Sequence, residues 1–149
     1  KFTELLSSYH PNYLSVRLFN VFGEGQRFET GAVIPNFMKS KIMDQPITIY
    51  GDGSVVRDFT YVGDVVHDLV DLMNSSIKGV IDCGYGEPIS IIQLVKEIFK
   101  VTPQINFLPN RDKDIIYSQS KRSIHRKFGR AEGLRRTQEW MESILGQLT

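Results

Sequence analysis

The sequence predicts an α/β fold, and three observations carry that prediction. Short segments rich in Val, Ile and aromatic residues alternate with amphipathic segments of helical period along the whole chain. Several of the apolar segments run directly into glycine-rich turns, "VFGEG", "IYGDG" and "CGYG". No internal repeat and no low-complexity stretch interrupts the alternation, which sets aside a solenoid or a disordered chain.

The elements follow in order. "KFTELLSSYH" places Phe2, Leu5, Leu6 and Tyr9 at helical spacing, so the chain opens in an amphipathic helix. That helix has no capping residue and no initiating Met before it, so the chain is expected to be part of something longer. "YLSVRLFNVFG" reads as one strand. "AVIPNFMKSKIM" reads as a helix with Pro35 in its first turn and Ile34, Phe37, Met38 and Ile42 on one face. "PITIYGDG" is a short strand closed by a turn, because Gly-Asp-Gly supplies the left-handed backbone a tight turn needs. "RDFTYV" is a further strand. Asp64 is placed to cap the next helix, "VVHDLVDLMNSS", whose apolar stripe is Val65, Val66, Leu69, Val70 and Met73. "GVIDCGYG" is a compact strand, and "SIIQLVKEIFK" carries Ser90 and Gln93 at capping-box spacing. "QINFLP" reads as a strand. A short helix is expected around "SKRSIHRKF", and a longer one at "EGLRRTQEWMESIL" with Leu134, Met141, Ile144 and Leu145 inward.

Bulk properties narrow the function classes. A chain of 149 residues with 41% apolar and 23% charged content can bury one sizeable core. A net charge of +1 offers no field that would gather nucleic acid or a membrane surface, so neither is expected as a partner. Cys83 is the single cysteine; it cannot close an internal disulfide and suits a reducing, cytoplasmic setting. No stretch of about 18 apolar residues reads as a transmembrane helix. His10, His67 and His125 are scattered, so no metal site is expected.

Ligands of α/β sheets bind beyond the C-terminal ends of the strands, and several polar residues collect there. Asn20 interrupts the apolar run of "RLFNVFG". Tyr50 ends "ITIY" before the Gly-Asp-Gly turn. Arg57 opens "RDFTYV", and Arg111 follows "INFLP". Two guanidinium groups can hold a diphosphate through forked hydrogen bonds, and a tyrosine ring can lie beside a base. The residues alone leave plainer roles open. Arg57 can pair with the adjacent Asp58 at the surface, and Arg111 can sit in a solvated loop. Arg17 alternates away from Asn20 on the strand and is taken as structural, satisfying a carboxylate or carbonyls.

Taken together, the segments resemble a known family. "RLFNVFGEGQ" is similar to the R-x-x-N-x-[YF]-G segment of the nucleotide-sugar epimerases and dehydratases, the extended short-chain dehydrogenase/reductase family. "AVIPNFM", "ITIYGDGSVVRDFTYVGDVV" and "GEPISIIQLVKEI" follow in that family's order and spacing, "NRDKD" stands at its R-x-G-D position and "SKRSI" at a D-x-x-K-like position. The resemblance covers nearly the whole chain. It implies the C-terminal part of a Rossmann-like enzyme together with a small α/β substrate-binding domain. Residues 1–30 would be the last part of the dinucleotide-binding domain. Residues 31–149 would be mostly substrate-binding domain, with 62–84 returning to the Rossmann sheet.

The resemblance also implies roles. Asn20 would contact the diphosphate–sugar portion, Tyr50 the nucleotide base with Ile49 backbone nearby, and Arg57 and Arg111 the diphosphate. Phe19 and Val21 would flank the nicotinamide of NAD, which is otherwise held by an N-terminal half whose G-x-x-G-x-x-G loop is absent from this sequence. The family's Tyr-x-x-x-Lys dyad precedes the opening helix. Glu4 follows Lys1 by three residues where the family's glutamate follows its lysine by four, so the dyad is expected upstream of Lys1; the alternative alignment makes Lys1 itself the catalytic lysine. The implied activity is epimerisation or 4,6-dehydration of a nucleotide-diphosphate sugar, as in a UDP-glucose 4-epimerase. The alternatives are a reductase or decarboxylase of the same family, and a non-catalytic binding fragment. A homodimer is the implied assembly. Three departures stand out: Lys113 replaces a preferred glycine, Ser118 or Gln119 stands where an aspartate is expected, and the "KFGRAEGL" junction is short.

Overall fold

The computed structural model describes residues 2–112 and 114–146. Lys1 and Lys113 lie outside the described residues. The elements run α1 (Phe2–Ser7), β1 (Leu14–Leu18), β2 (Val21–Phe22), a 3-10 turn (Phe28–Thr30), α2 (Val33–Ile42), β3 (Ile47–Tyr50), β4 (Val56–Arg57), β5 (Thr60–Tyr61), α3 (Val62–Met73), β6 (Gly79–Cys83), β7 (Ile89–Ser90), α4 (Ile91–Ile98), β8 (Ile105–Leu108) and α5 (Gly129–Leu145). Three strand pairs are parallel, β1 with β6, β2 with β5 and β3 with β8; β4 and β7 are antiparallel. Helical crossovers between parallel strands are the mark of an α/β fold.

The strand expected at "YLSVRLFNVFG" is two strands. The Phe19 amide donates to the Cys83 carbonyl at 3.2 Å, the last contact to β6. Asn20 then enters the left-handed region with φ 35°, and its carbonyl accepts from the Thr60 amide at 3.4 Å. One residue thus transfers the chain from β6 to β5. Asparagine tolerates that backbone better than most residues with a side chain. "RDFTYV" also divides, into β4 and β5, and the chain enters α3 directly after Tyr61.

Two expectations about α3 are corrected. Asp64 is not its cap: the helix begins at Val62, and no side chain caps it. Its buried face carries Val65 and Leu72 with Asp64 and Asp68, while Val66, Val70 and Met73 are exposed. The rotation follows from what the tail donates. Asp64 accepts from the amides of Lys127, Phe128 and Gly129 at 2.8, 2.9 and 2.8 Å and from the Tyr85 hydroxyl at 2.5 Å. It therefore satisfies the open N–H groups at the start of α5 from another helix. Asp68, one turn on, holds Arg122 in a fork at 2.6 and 2.5 Å.

The same bonds explain why no helix forms around "SKRSIHRKF". The Lys121 amide goes to Asp82, the Ile124 amide to the Gly84 carbonyl, and those of Lys127 and Phe128 to Asp64. The segment lies along the end of β6 with Ile124 buried.

Other readings hold. Ser90 and Gln93 form the reciprocal capping box of α4, at 3.1 and 2.8 Å. Gly51 and Gly53 take φ 71° and 78°, and a Cβ at Gly53 would come within 2.5 Å of Ile92, so this turn packs tightly on α4. Arg17 is structural: it forks onto Glu4 at 2.7 and 2.8 Å and ties α1 to β1. The apolar residues Leu5, Leu6 and Tyr9 of the first segment are exposed. The core runs through Phe22, Ile34, Met38, Ile49, Leu94 and Met141, which joins α2, β3, α4 and α5 around one interior. Among the described residues no helix is long and apolar enough to cross a membrane.

Candidate functional site

β3 and β8 run parallel and release the chain at the same end, Tyr50 opposite Leu108. The Gly51 amide donates to the Leu108 carbonyl at 2.8 Å, so the two following loops leave side by side. Between these strands, α2 and β4 lies a cavity of about 720 Å³. Asn20, Ile49, Tyr50, Arg57 and Arg111 all line it. Five residues spread over 92 positions of sequence (20 to 111) therefore converge on one space. Its volume is in the range that accommodates a nucleotide-sized ligand.

Each side chain arrives for a local reason. Ile49 and Tyr50 are consecutive on a strand, so they project to opposite faces: Ile49 is buried and Tyr50 exposed. Arg57 is fixed by β4. Its Nη1 donates to the Val56 carbonyl at 2.9 Å, and its Nη2 donates to Asp114 at 3.1 Å. The expected pair with Asp58 does not form. Asp58 is fully buried, and its Oδ2 accepts from the Gly86 and Ser120 amides at 2.8 and 3.0 Å. Nor does Arg111 simply point into solvent: its guanidinium lies 3.9 Å from the centre of the Tyr50 ring. Asn20 reaches the cavity because the kink that changes strand partners also ends β1 there.

Phe19 and Val21 do not line this cavity. Val21 pairs with Thr60, and Phe19 packs against the end of β6, where a Cβ added at Gly84 would stand 3.1 Å from Phe19 Cβ. Asp114 was not singled out from the sequence, although it lies within "NRDKD". Asn36, Ser40 and Thr48 also face the cavity and carried no signal in the sequence, since each is an ordinary polar residue on the solvent side of its element. Among the described residues no group of His, Cys, Asp and Glu could hold a metal. Burial, helped by the nearby Asp68 carboxylate, pushes the Cys83 thiol up to about 12, which leaves it unreactive at neutral pH.

Parallel strands, helical crossovers and a polar cavity at the strand ends define a Rossmann-like α/β protein. The chain belongs to the NAD dependent epimerase/dehydratase family, whose model matches residues 2–84. It is 38% identical over 101 residues to UDP-glucuronic acid decarboxylase 1 of Danio rerio, covering 66% of this chain and 24% of that protein. Among solved structures it resembles the UDP-glucose 4-epimerase of Thermotoga maritima with UDP-glucose, at TM-score 0.86 and 26% identity over 97% of this chain and 50% of that one. It is also similar to the UDP-N-acetylglucosamine 4-epimerase of Methanobrevibacter ruminantium in complex with UDP-N-acetylmuramic acid, at TM-score 0.83 and 28% identity over 94% and 50%. The chain thus spans about half the length of these structures, and less of the decarboxylase.

Phe19 and Val21 flank the residue at which the chain passes from β6 to β5, just beyond the C-terminal end of β1, and both are half-buried. Two apolar side chains at a strand end have the chemistry to lie against a flat ring such as a nicotinamide. The sequence holds no G-x-x-G-x-x-G turn to receive a pyrophosphate at a helix N-terminus.

Proposed function

We propose that this chain forms the sugar-nucleotide-binding portion of an NAD-dependent epimerase or 4,6-dehydratase. One observation carries the reading: Asn20, Ile49, Tyr50, Arg57 and Arg111 meet in a single cavity at the ends of parallel strands. Arg57 and Arg111 take the diphosphate, where forked guanidinium contacts are strongest. Tyr50 and the Ile49 backbone lie beside the base, and Asn20 meets the diphosphate–sugar junction. Phe19 and Val21 flank the nicotinamide. When bound, NAD accepts and returns a hydride; the residues of this chain hold and orient the sugar nucleotide for that exchange. Residues 1–30 and 62–84 then belong to the dinucleotide-binding unit, and the remainder of 31–149 to the substrate-binding unit. The β1–β6 pairing supports that division. The whole enzyme is cytoplasmic and works as a homodimer.

A second reading is a decarboxylase acting on a UDP-sugar acid. It is favoured by the decarboxylases among the relatives above 30% identity. Calorimetric titration of the chain with UDP, UDP-glucose and UDP-glucuronate tests the shared part: binding by the diphosphate nucleotides is expected, and no binding by any of them would refute it. Assaying the chain with NAD and UDP-sugars is expected to give no turnover. In the whole enzyme, release of carbon dioxide from UDP-glucuronate separates the second reading from the first.

A further inference from the structure

A second cavity, of about 580 Å³, lies between α2, α4 and α5. It shares no lining residue with the cavity that holds Arg57 and Arg111: α2 turns Met38 and Lys41 to the one and Asn36, Phe37 and Ser40 to the other. Its floor is apolar, made by Met38, Tyr85, Ile98 and Leu134, which their neighbours bury almost wholly. Its rim is cationic, and the cations are of two kinds. Arg126 donates to Glu87 at 2.7 Å, Arg130 forks onto Glu97 at 2.8 and 3.1 Å, and Arg135 pairs with Glu132 and Glu139. Those three are matched by carboxylates. Among the described residues neither Lys41 nor Lys100 forms an ion pair.

Lys41 Nζ donates to the Ile98 carbonyl at 2.6 Å and to Gln138 Oε1 at 2.7 Å, both neutral oxygens. The first bond closes the last turn of α4, which accounts for the place of the amine and leaves its charge without a counter-ion. Gln138 donates in turn to Glu142 at 2.7 Å, so that carboxylate is one side chain removed. Burial, with the like charge of Lys100, holds the half-buried Lys41 ammonium below the usual lysine range, against the pull of Glu142. Both lysines also line an adjoining cavity of about 660 Å³, so they stand where the two spaces meet.

We propose that this cavity is a second binding site, for a phosphate monoester with an apolar body, whose phosphate lies between Lys41 and Lys100 and whose body covers the floor at Met38 and Leu134. The inference stands apart from the sugar-nucleotide reading above. A phosphate monoester carries about −1.5 to −2 charges at neutral pH, which matches two ammonium groups that no carboxylate has neutralised. Lysine holds phosphate as a point charge, without the fixed fork of a guanidinium, so two flexible amines at the mouth of a cavity suffice. The third N–H of Lys41 is available to a phosphate oxygen. The anion also relieves the repulsion between the lysines and the cost of half-burying one of them. The floor contributes only when the ligand brings apolar surface, and a cavity of this size takes an aromatic ring. Inorganic phosphate uses one half of the site, and an uncharged arene the other.

Phenyl phosphate, inorganic phosphate and phenol are the probes, in calorimetric titrations of the chain. Phenyl phosphate is expected to bind about tenfold tighter than inorganic phosphate, and phenol not measurably. Lys100→Glu and Lys41→Gln are each expected to weaken phenyl phosphate about tenfold or more. Lys100 is exposed, so its substitution leaves the core intact, and thermal melts establish that each protein is folded. Arg57→Gln is expected to keep phenyl phosphate affinity within about twofold, which separates this cavity from the other. Unchanged affinity in Lys100→Glu would overturn the proposal, as would a loss in Arg57→Gln equal to that in Lys100→Glu. Equal binding of inorganic and phenyl phosphate would overturn the ligand class, because the floor would then contribute nothing. UDP, titrated alongside, is expected to bind the parent and Lys100→Glu alike. Failure of phenyl phosphate to bind a parent chain that binds UDP sinks this inference alone.

Discussion

Two regions of the molecule hold charge in opposite ways. Around α3 the buried carboxylates are tied down by the fold: Asp64 accepts four hydrogen bonds from Tyr85 and the start of α5, and Asp68 is forked onto Arg122. Around the cavity the contacts are exchangeable. Arg57 leans on an exposed aspartate and Arg111 on an exposed ring. Counting charges would not separate these regions, since both carry arginine and aspartate. What separates them is whether the partner is committed. Buried groups must be satisfied by the protein, because leaving one unpaired costs the full desolvation of that group. Exposed partners such as Asp114 and the Tyr50 ring cost little to release, because water receives them.

The largest effect that follows from the contrast is on the committed side. Asp64→Ala strands three amides and the Tyr85 hydroxyl, and is expected to cost about 3–5 kcal/mol of stability, read from denaturant unfolding. A loss below about 1 kcal/mol would mean that water replaces the carboxylate, and the contrast would weaken. The same group makes an acid limb. Burial alone would push the Asp64 carboxyl up; donation from Tyr85 and the three amides outweighs it and holds the group below the usual carboxylate range. Its stabilisation is therefore complete above the unfolded value of about 3.9 and is lost as pH falls through the lower folded value. Asp64→Asn is expected to flatten stability against pH in that acid window.

On the exchangeable side the order of effects reverses. Arg57→Ala and Arg111→Ala are each expected to weaken UDP-sugar binding by about 1.5–3 kcal/mol. Their melting temperatures should stay close to that of the parent. Unchanged affinity with a lowered melting point would move both arginines to the committed class. Asn20 sharpens the comparison, since it has a backbone reason and a cavity position at once. Asn20→Gly keeps the left-handed turn and removes only the amide. It is expected to lower sugar-nucleotide affinity by about 1–3 kcal/mol with little change in stability. Full affinity in Asn20→Gly would leave Asn20 as a turn residue. The smallest effect is at Arg135, which pairs with Glu132 and Glu139 on the solvent face of α5. Arg135→Ala is expected to leave the melting temperature unchanged within measurement, as exposed pairs on a helix usually do.

Legibility from the sequence followed the same division. Four of the five cavity residues were identifiable because they broke local patterns: an amide in an apolar strand, a tyrosine before Gly-Asp-Gly, arginines at strand ends; Ile49 was named only through the family resemblance. The committed residues kept the pattern and so were misread. Asp64 looked like a helix cap because it stood at a plausible helix start, and Val66, Val70 and Met73 looked inward because they continued an apolar stripe. Asp114 was passed over because an aspartate in a polar loop is unremarkable until its partner, 57 residues away, is known.

The sequence by itself determined the alternation of strands and helices, the capping box at Ser90 and Gln93, the left-handed Gly51 and Gly53, and the family to which the chain belongs. These are properties of residues a few positions apart, where backbone preference and side-chain period decide the outcome. Only the tertiary structure decided that β1 and β2 part at Asn20, that α3 turns its aspartates inward, that residues 120–128 form no helix and that Arg57 faces Asp114. In each of these a backbone or side-chain group found a better partner far along the chain than its neighbours offered. A buried polar group takes whatever partner the packing brings, so its choice is not written in the residues beside it.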